Sequence, residues 1–127
     1  MRTLTDHKTN GLNEALTINV LDGPGAGGAN HVYEILADER LVTLKPGVTV
    51  HTQINFQNGP IQEAGVNGIS QEALLAVVID RLRSFQAGPY ACRENAVALT
   101  NCEQAMMWMQ KRTRDRMARG VEGTSAK

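Results

Sequence analysis

The sequence predicts an α+β protein: an N-terminal antiparallel β-sheet followed by a C-terminal two-helix hairpin. Three observations carry this. Up to about residue 56 the ordered stretches are short, rich in β-branched residues and separated by Gly, Pro and Asn, as strands are. From Ser70 the apolar residues recur at helical spacing. Gly88-Pro89 then interrupts that pattern once, which divides it into two helices.

Residues 1–13 (Met1 to Asn13) are polar and unpatterned and read as a short arm. Residues 14–68 form the β-rich part. Thr17 to Leu21 (TINVL) and His31 to Ile35 (HVYEI) read as strands, with the glycine-rich loop Asp22 to Gly28 between them. Leu41 to Leu44 and Val48 to Phe56 read as two more, and Lys45-Pro46-Gly47 is turn chemistry that joins them as a hairpin. Gln57 to Gly68 is loop. The helical hairpin spans residues 69–120. Ser70 is the N-cap of its first helix, Glu72 puts an acid in the first turn, and Leu75, Val78, Ile79, Leu82 and Phe85 form one face. The second helix runs from about Ala91 to Ala118 with Gly120 as its stop, and residues 121–127 are a tail. On it Leu99, Cys102, Met106 and Met109 mark an apolar stripe that Met107 and Trp108 broaden.

At 127 residues the chain is one domain in size, and five aromatic residues give it a thin core. Association with copies of itself is a usual support for such a core. Thirteen basic and thirteen acidic residues cancel, so overall charge does not point to wholesale nucleic-acid binding. No apolar run approaches membrane-spanning length and no secretory h-region opens the chain. Cys92 and Cys102 lie ten positions apart, about 15 Å along a helix, too far for a disulfide. Two reduced cysteines fit a cytoplasmic protein.

The chemistry-bearing features are few. Gly23-Pro24-Gly25-Ala26-Gly27-Gly28 satisfies the pattern GxGxxG, but a strand-like segment follows it where a dinucleotide fingerprint needs a helix. A flexible connection is the better reading, with a backbone phosphate cradle as the alternative. His7, His31 and His51 are isolated, and no metal cluster, nucleophile elbow or carboxylate pair stands out, so neither a catalytic centre nor a cofactor is expected. Phe85 reads as core and Asn95 as a surface amide. The main electrostatic feature is Met109 to Arg119, where Lys111, Arg112, Arg114, Arg116 and Arg119 face one acid, Asp115. Arg112, Arg116 and Arg119 fall within about 60° of arc on a helix, while Arg114 points away. Such a face suits phosphate, since a guanidinium fork offers two parallel donors. The competing explanation, cations that complement the helix dipole, accounts for one or two of these residues but less well for four.

The blocks FQNGPIQEAGVNG, FQAGPYACRENAVAL, MWMQKRTRDR and RGVEGT, together covering much of Phe56 to Thr124, resemble the first-described Thoeris anti-defence family of phages. That family shares its helical hairpin with anti-CBASS cyclic-oligonucleotide sponges, and GGANHVYEI adds a weaker N-terminal match. The resemblance implies a non-enzymatic sponge for glycocyclic ADP-ribose, the signal made by TIR-domain enzymes, held intact in the host cytoplasm. It also implies a homo-oligomer, dimer or hexamer, with cyclic trinucleotides taken at separate pockets in some members. The family's recognition residues match Phe85, Asn95, Arg112 and Arg116 here, with His31 on the sheet side; Arg119 joins them from the arginine spacing. The alternative, from another class, is a small phage nucleic-acid-binding protein using the same basic helix, which salt would weaken steeply. A hydrolase of the signal is disfavoured for want of a base, nucleophile or metal cluster.

Overall fold

Four strands pair in chain order, all antiparallel, in a computed structural model that describes residues 1–127. They are β1 (Arg2–Leu4), β2 (Leu16–Val20), β3 (Val32–Ala37) and β4 (His51–Asn55), and two helices follow, α3 (Gln71–Gln86) and α4 (Arg93–Ala118). Single turns of helix, α1 (Leu12–Ala15) and α2 (Ile61–Ala64), lie before β2 and after β4. The α+β class and its order, sheet first and helical hairpin second, agree with the sequence expectation. The chain divides into two units, Met1–Gly59 with Ala64–Ile69, and Pro60–Glu63 with Ser70–Lys127.

In the sheet unit, alternation sends Ile18, Val20, Tyr33, Ile35 and Ile54 to one face, where Val20 and Ala15 are fully enclosed. Tyr33 meets Phe56 edge to face, ring centroids 5.6 Å apart. The other face carries a polar row in register: Thr3 donates to Asn19 at 3.0 Å, Asn19 to Glu34 at 3.0 Å, and His51 Nε2 lies 3.1 Å from Glu34. The hydrogen bonds from Asn19 and then His51 hold the Glu34 carboxyl below its usual range.

Three local expectations change here. The N-terminal arm contains β1, paired with β2 through Arg2↔Val20 and Leu4↔Ile18. Three residues are too few to show a period of two, so only the partner strand reveals them. Leu41 to Leu44 is not a strand, and β4 pairs with β3 (Leu36↔His51, Val32↔Asn55) instead of with it. The cause is Asp38: its carbonyl accepts the N–H groups of Leu41 (3.0 Å) and Val42 (3.2 Å), curling that backbone away from any ladder. Its carboxylate meanwhile accepts Arg40 Nε at 2.9 Å and Nη2 at 2.8 Å, which holds its pKa down to about 2. The Lys45–Val48 turn does form, with a 3.0 Å bond between its ends, but joins no strand on its N-terminal side. Finally, the loop between Gln57 and Gly68 contains α2.

In the helical unit, Ser70 caps α3 by accepting the Ala73 N–H at 3.1 Å, and Cys92 Sγ caps α4 through the Asn95 N–H at 3.4 Å. Gln86 closes the hairpin with two hydrogen bonds to the Cys92 backbone, at 3.1 and 3.2 Å. Arg83 and Glu103 pair across the helices at 2.8 Å. The inward side chains of α3 are Leu75, Ile79 and Leu82, whereas Val78 is exposed. Those of α4 are Leu99, Cys102, Met106, Met109, Thr113 and Arg116, spaced alternately three and four as in a coiled-coil seam. Trp108 and Met107 do not broaden this seam; they are 71% and 65% exposed. Ile79 is the most enclosed apolar residue of the unit, at 5% exposure. Ile79→Ala should therefore cost about 2–5 kcal/mol in chemical denaturation, and Val78→Ala less than about 1 kcal/mol. Equal losses would mean that the seam is assigned to the wrong face.

Candidate ligand site

The basic end of α4 is built by a helix cap. Gly120 adopts φ 73°, which frees its N–H for Met117 and that of Val121 for Arg116, both at 3.0 Å. This pair of hydrogen bonds turns the chain back along the helix, and a residue with a Cβ at position 120 would strain the turn. The returning tail is fixed to the segment before α3: Gln62 N–H donates to Gly123 at 3.0 Å, Gln62 Nε2 to Glu122 at 3.2 Å and Ser125 to the Glu63 carboxylate at 3.0 Å.

A groove of about 550 Å³ opens beside this turn, lined by Trp108, Lys111, Arg112, Asp115, Arg116, Arg119 and Lys127. Lys111 pairs with Asp115 at 2.6 Å, one helical turn apart, which neutralises the only acid in the lining. Arg112 is exposed and has no ion-pair partner, so its guanidinium is open to an incoming anion. Arg119 bonds through Nη2 to the main-chain oxygen of Lys127. A second groove, lined by Gln104, Met107, Trp108, Lys111 and Arg114, shares Trp108 and Lys111 with the first.

Arg116 differs from its neighbours. The sequence placed it on one outward face with Arg112 and Arg119, but it lies on the inner seam and is only 9% exposed. Its Nε donates to the Glu122 carboxylate at 3.0 Å, Nη1 to Ala126 O at 2.6 Å, and Nη2 to Val121 O at 2.9 Å and Thr124 O at 3.0 Å. The expectation that Arg116 projects freely toward solvent or ligand is thus corrected: four of five N–H bonds are already used.

Phe85 and Asn95 stand at the opposite end of the hairpin. Phe85 is half-buried beneath the Arg81 guanidinium, 5.0 Å from the ring centroid, in a groove with Val77, Asp80 and Ser84. Asn95 is half-buried in the first turn of α4. Seventeen residues of helix separate it from Arg112, roughly 25 Å. Within one chain these two halves of the expected set do not come together.

His31 belongs to the sheet unit. Its ring is enclosed, 7% exposed, and Nδ1 has no hydrogen-bond partner. The ring packs against the glycine-rich loop so closely that a Cβ on Gly25 would stand 3.1 Å from Nδ1 and 2.9 Å from Asn58 Oδ1. Asn58 ties that loop down by accepting the Ala26 N–H at 3.1 Å. The loop is thus anchored at Gly25 and Ala26, while residues 23–29 are otherwise exposed. No helix of the protein is long and apolar enough to cross a membrane.

Residues 49–114, just over half of the chain, match the family described as Acb2/Tad1, hairpin domain. The chain belongs to that family. The match begins just before β4 and ends at Arg114, so Arg116, Arg119 and the tail lie beyond it. Among curated proteins, Thoeris anti-defense 1 of Bacillus phage SBSphiJ7 is 48% identical over 90 residues. That alignment covers 71% of this chain and 63% of the relative, so the chain spans less than two thirds of its length.

Trp108, Lys111 and Lys127 line the groove although the sequence reading did not select them as site residues. Trp108 could have been found from its position one residue, or about 100°, off Met109 in the seam; Lys127 carries no such signal. On the sheet side, Asp22 fixes the backbone beside His31 by accepting the N–H groups of His31 (2.9 Å) and Val32 (3.1 Å). Burial raises its pKa, but these backbone bonds outweigh that and leave it below the ordinary 3.8. With the folded value depressed, the stabilisation is complete above 3.8 and is lost as pH falls through the lower folded value. Denaturation of the parent and of Asp22→Asn between pH 5 and pH 2 should show a stability gap that closes on acidification. A gap independent of pH would mean that the ionised carboxylate is not the source.

Proposed function

We propose that this chain is a phage anti-defence protein that sequesters a cyclic nucleotide immune signal, glycocyclic ADP-ribose, in the infected host's cytoplasm without degrading it. The observation that carries the reading is the cationic groove at the end of α4, where the unpaired Arg112 stands beside Arg119 and the exposed indole of Trp108. A guanidinium suits a pyrophosphate because it offers paired donors, and an aromatic face suits adenine. Family membership and the name of the phage relative support the anti-defence role.

The roughly 25 Å between Asn95 and Arg112 supports a site shared between copies of the chain. Phe85 and Asn95 of one copy would meet the arginines of another if two hairpins packed with opposite ends together. The exposed Met107, Trp108, Met117 and Val77 give this second copy an apolar surface to cover. In this reading the protein is at least a dimer, with a hexamer as the larger assembly and separate pockets for cyclic trinucleotides. Such pockets would extend its reach to CBASS signals. His31 is the sheet unit's candidate contact, and Arg116 is a candidate through its match to the family's recognition residues.

Sequestration needs affinity alone, sufficient to pull free signal below its effector's threshold. Protein mixed with glycocyclic ADP-ribose, filtered, and then heated should return the intact ligand on chromatography. Recovery of linear ADP-ribose in its place would make the protein an enzyme. Light scattering should give a mass at least twice 13.8 kDa at micromolar concentration, and a monomer would remove the composite site. Arg112→Ala should lower affinity about ten- to hundredfold, and Arg114→Ala, which lines only the neighbouring groove, far less. Equal losses, with strong salt dependence, would favour a diffuse positive field of the kind that binds nucleic acid.

A further inference from the structure

Gln86 is the last residue of α3, Cys92 is the N-cap of α4, and one side chain joins them. Cys92 is extended, with φ −149° and ψ 163°, the non-helical backbone usual at an N-cap. An extended residue presents its own N–H and C=O on the same side, as it does to a partner in an antiparallel ladder. The primary amide of Gln86 matches that pair: Oε1 accepts the Cys92 N–H at 3.1 Å, and Nε2 donates to the Cys92 carbonyl at 3.2 Å. Between them lie Ala87 to Ala91, where Gly88 donates to the Phe85 carbonyl at 3.2 Å and Ala91 to that of Gly88 at 3.3 Å. Those main-chain bonds are local, whereas the Gln86 amide spans the whole connection.

The first turn of α4 hangs on Cys92. Its carbonyl, the acceptor of the Gln86 amide, also takes the Ala96 N–H at 3.1 Å, and its Sγ takes the Asn95 N–H at 3.4 Å. On the other side, Phe85 directly precedes Gln86 and is half-buried. The two residues expected at this end of the hairpin therefore flank one ring of two hydrogen bonds. We infer that Gln86 is a positioning residue: its amide fixes the first turn of α4 against the last turn of α3, and so sets Asn95 relative to Phe85 for capture. This rests on the reading above that Phe85 and Asn95 meet the ligand, and Gln86 acts through them without touching it.

Gln86→Glu makes the ring titratable. An ionised carboxylate still accepts the Cys92 N–H, but it meets the Cys92 carbonyl with a second acceptor and no donor. Protonated, it has an O–H for the carbonyl and an oxygen for the N–H. A free glutamate titrates near about 4.3, and a partner for its neutral form raises that value. The experiment compares the parent, Gln86→Ala and Gln86→Glu, each as the full chain, at about pH 7 and about pH 4. Glycocyclic ADP-ribose affinity is measured by calorimetry, and amide protection is followed at Asn95 and Ala96 and in the α3/α4 seam. The charged groups around the clamp, Arg81 and Arg83 on α3 and Arg93, Glu94 and Glu103 on α4, are common to all three proteins. Each affinity is therefore referred to that of the parent at the same pH.

At about pH 7 both variants should lose about tenfold in affinity together with protection of Asn95 and Ala96, while the seam stays protected. At about pH 4 Gln86→Glu should return to within about threefold of the parent, and Gln86→Ala should not. A ratio of Gln86→Glu to parent that does not change with pH overturns the inference, as does parental affinity in Gln86→Ala whatever its exchange. Lost affinity with Asn95 and Ala96 still protected makes Gln86 a contact of the ligand and overturns it too. These results leave the sponge reading standing, whereas no capture by the parent overturns both. Should Gln86→Ala unfold the seam, Gln86→Glu decides alone, because its two protonation states share one sequence and the recovery is read between them.

Discussion

Helix α4 has 26 residues and helix α3 has 16. At about 1.5 Å per residue the longer helix exceeds the shorter by roughly 15 Å, so its last turns have no α3 residue to pack against. The rest of the helical unit follows from this mismatch. The seam continues beyond Met109 to Thr113 and Arg116, and something other than α3 must cover it. The returning tail, tied to the Pro60–Glu63 segment, supplies the cover, and Gly120 makes the return possible. What the tail offers is main-chain carbonyls, and an arginine at the last seam position satisfies them.

A buried guanidinium is costly to desolvate, and its ion pair alone does not ensure a net gain. Four hydrogen bonds change that balance. Val121, Thr124 and Ala126 would each leave a carbonyl without this donor, at half-buried positions for Val121 and Thr124, where an unmade bond costs more than a made one gains. Arg116 and the tail are therefore mutually dependent, in the manner of a small network whose members are all satisfied. The same logic operates on the sheet side, where one carboxylate, Asp22, holds two successive backbone N–H groups at the base of the glycine-rich loop.

The hairpin was legible because its signals are local and strong: a serine cap, the Gly88-Pro89 break, a glycine stop, and an apolar period sustained over many turns. The sheet was legible only where strands are long enough to alternate, which excluded β1. Leu41 to Leu44 had strand composition, yet Asp38 claimed its backbone donors, an interaction that composition does not encode. For the candidate site, charge clustering found Arg112 and Arg119 correctly as surface cations. It could not separate Arg116 from them, because an arc of 60° is wide enough to include both the edge of a helix face and the seam beside it. Nor could spacing along the chain show that Phe85 and Asn95 stand a helix length away from the arginines. That fact is geometric, and it divides the four expected residues into two separate groups.

The charges in the groove at the α4 terminus bound what it can balance. Lys111 is spent on Asp115, and Arg116 on Glu122. Of the other lining cations, Arg112 has no ion-pair partner, Arg119 bonds the main-chain oxygen of Lys127, and the Lys127 ammonium is offset by that residue's own carboxylate. A ligand joined through a pyrophosphate brings two negative charges, so Arg112 and Arg119 alone would balance it. The cationic groove is then matched in charge to such a ligand, while the aromatic and amide groups of Phe85 and Asn95 stand about a helix length away in the same chain.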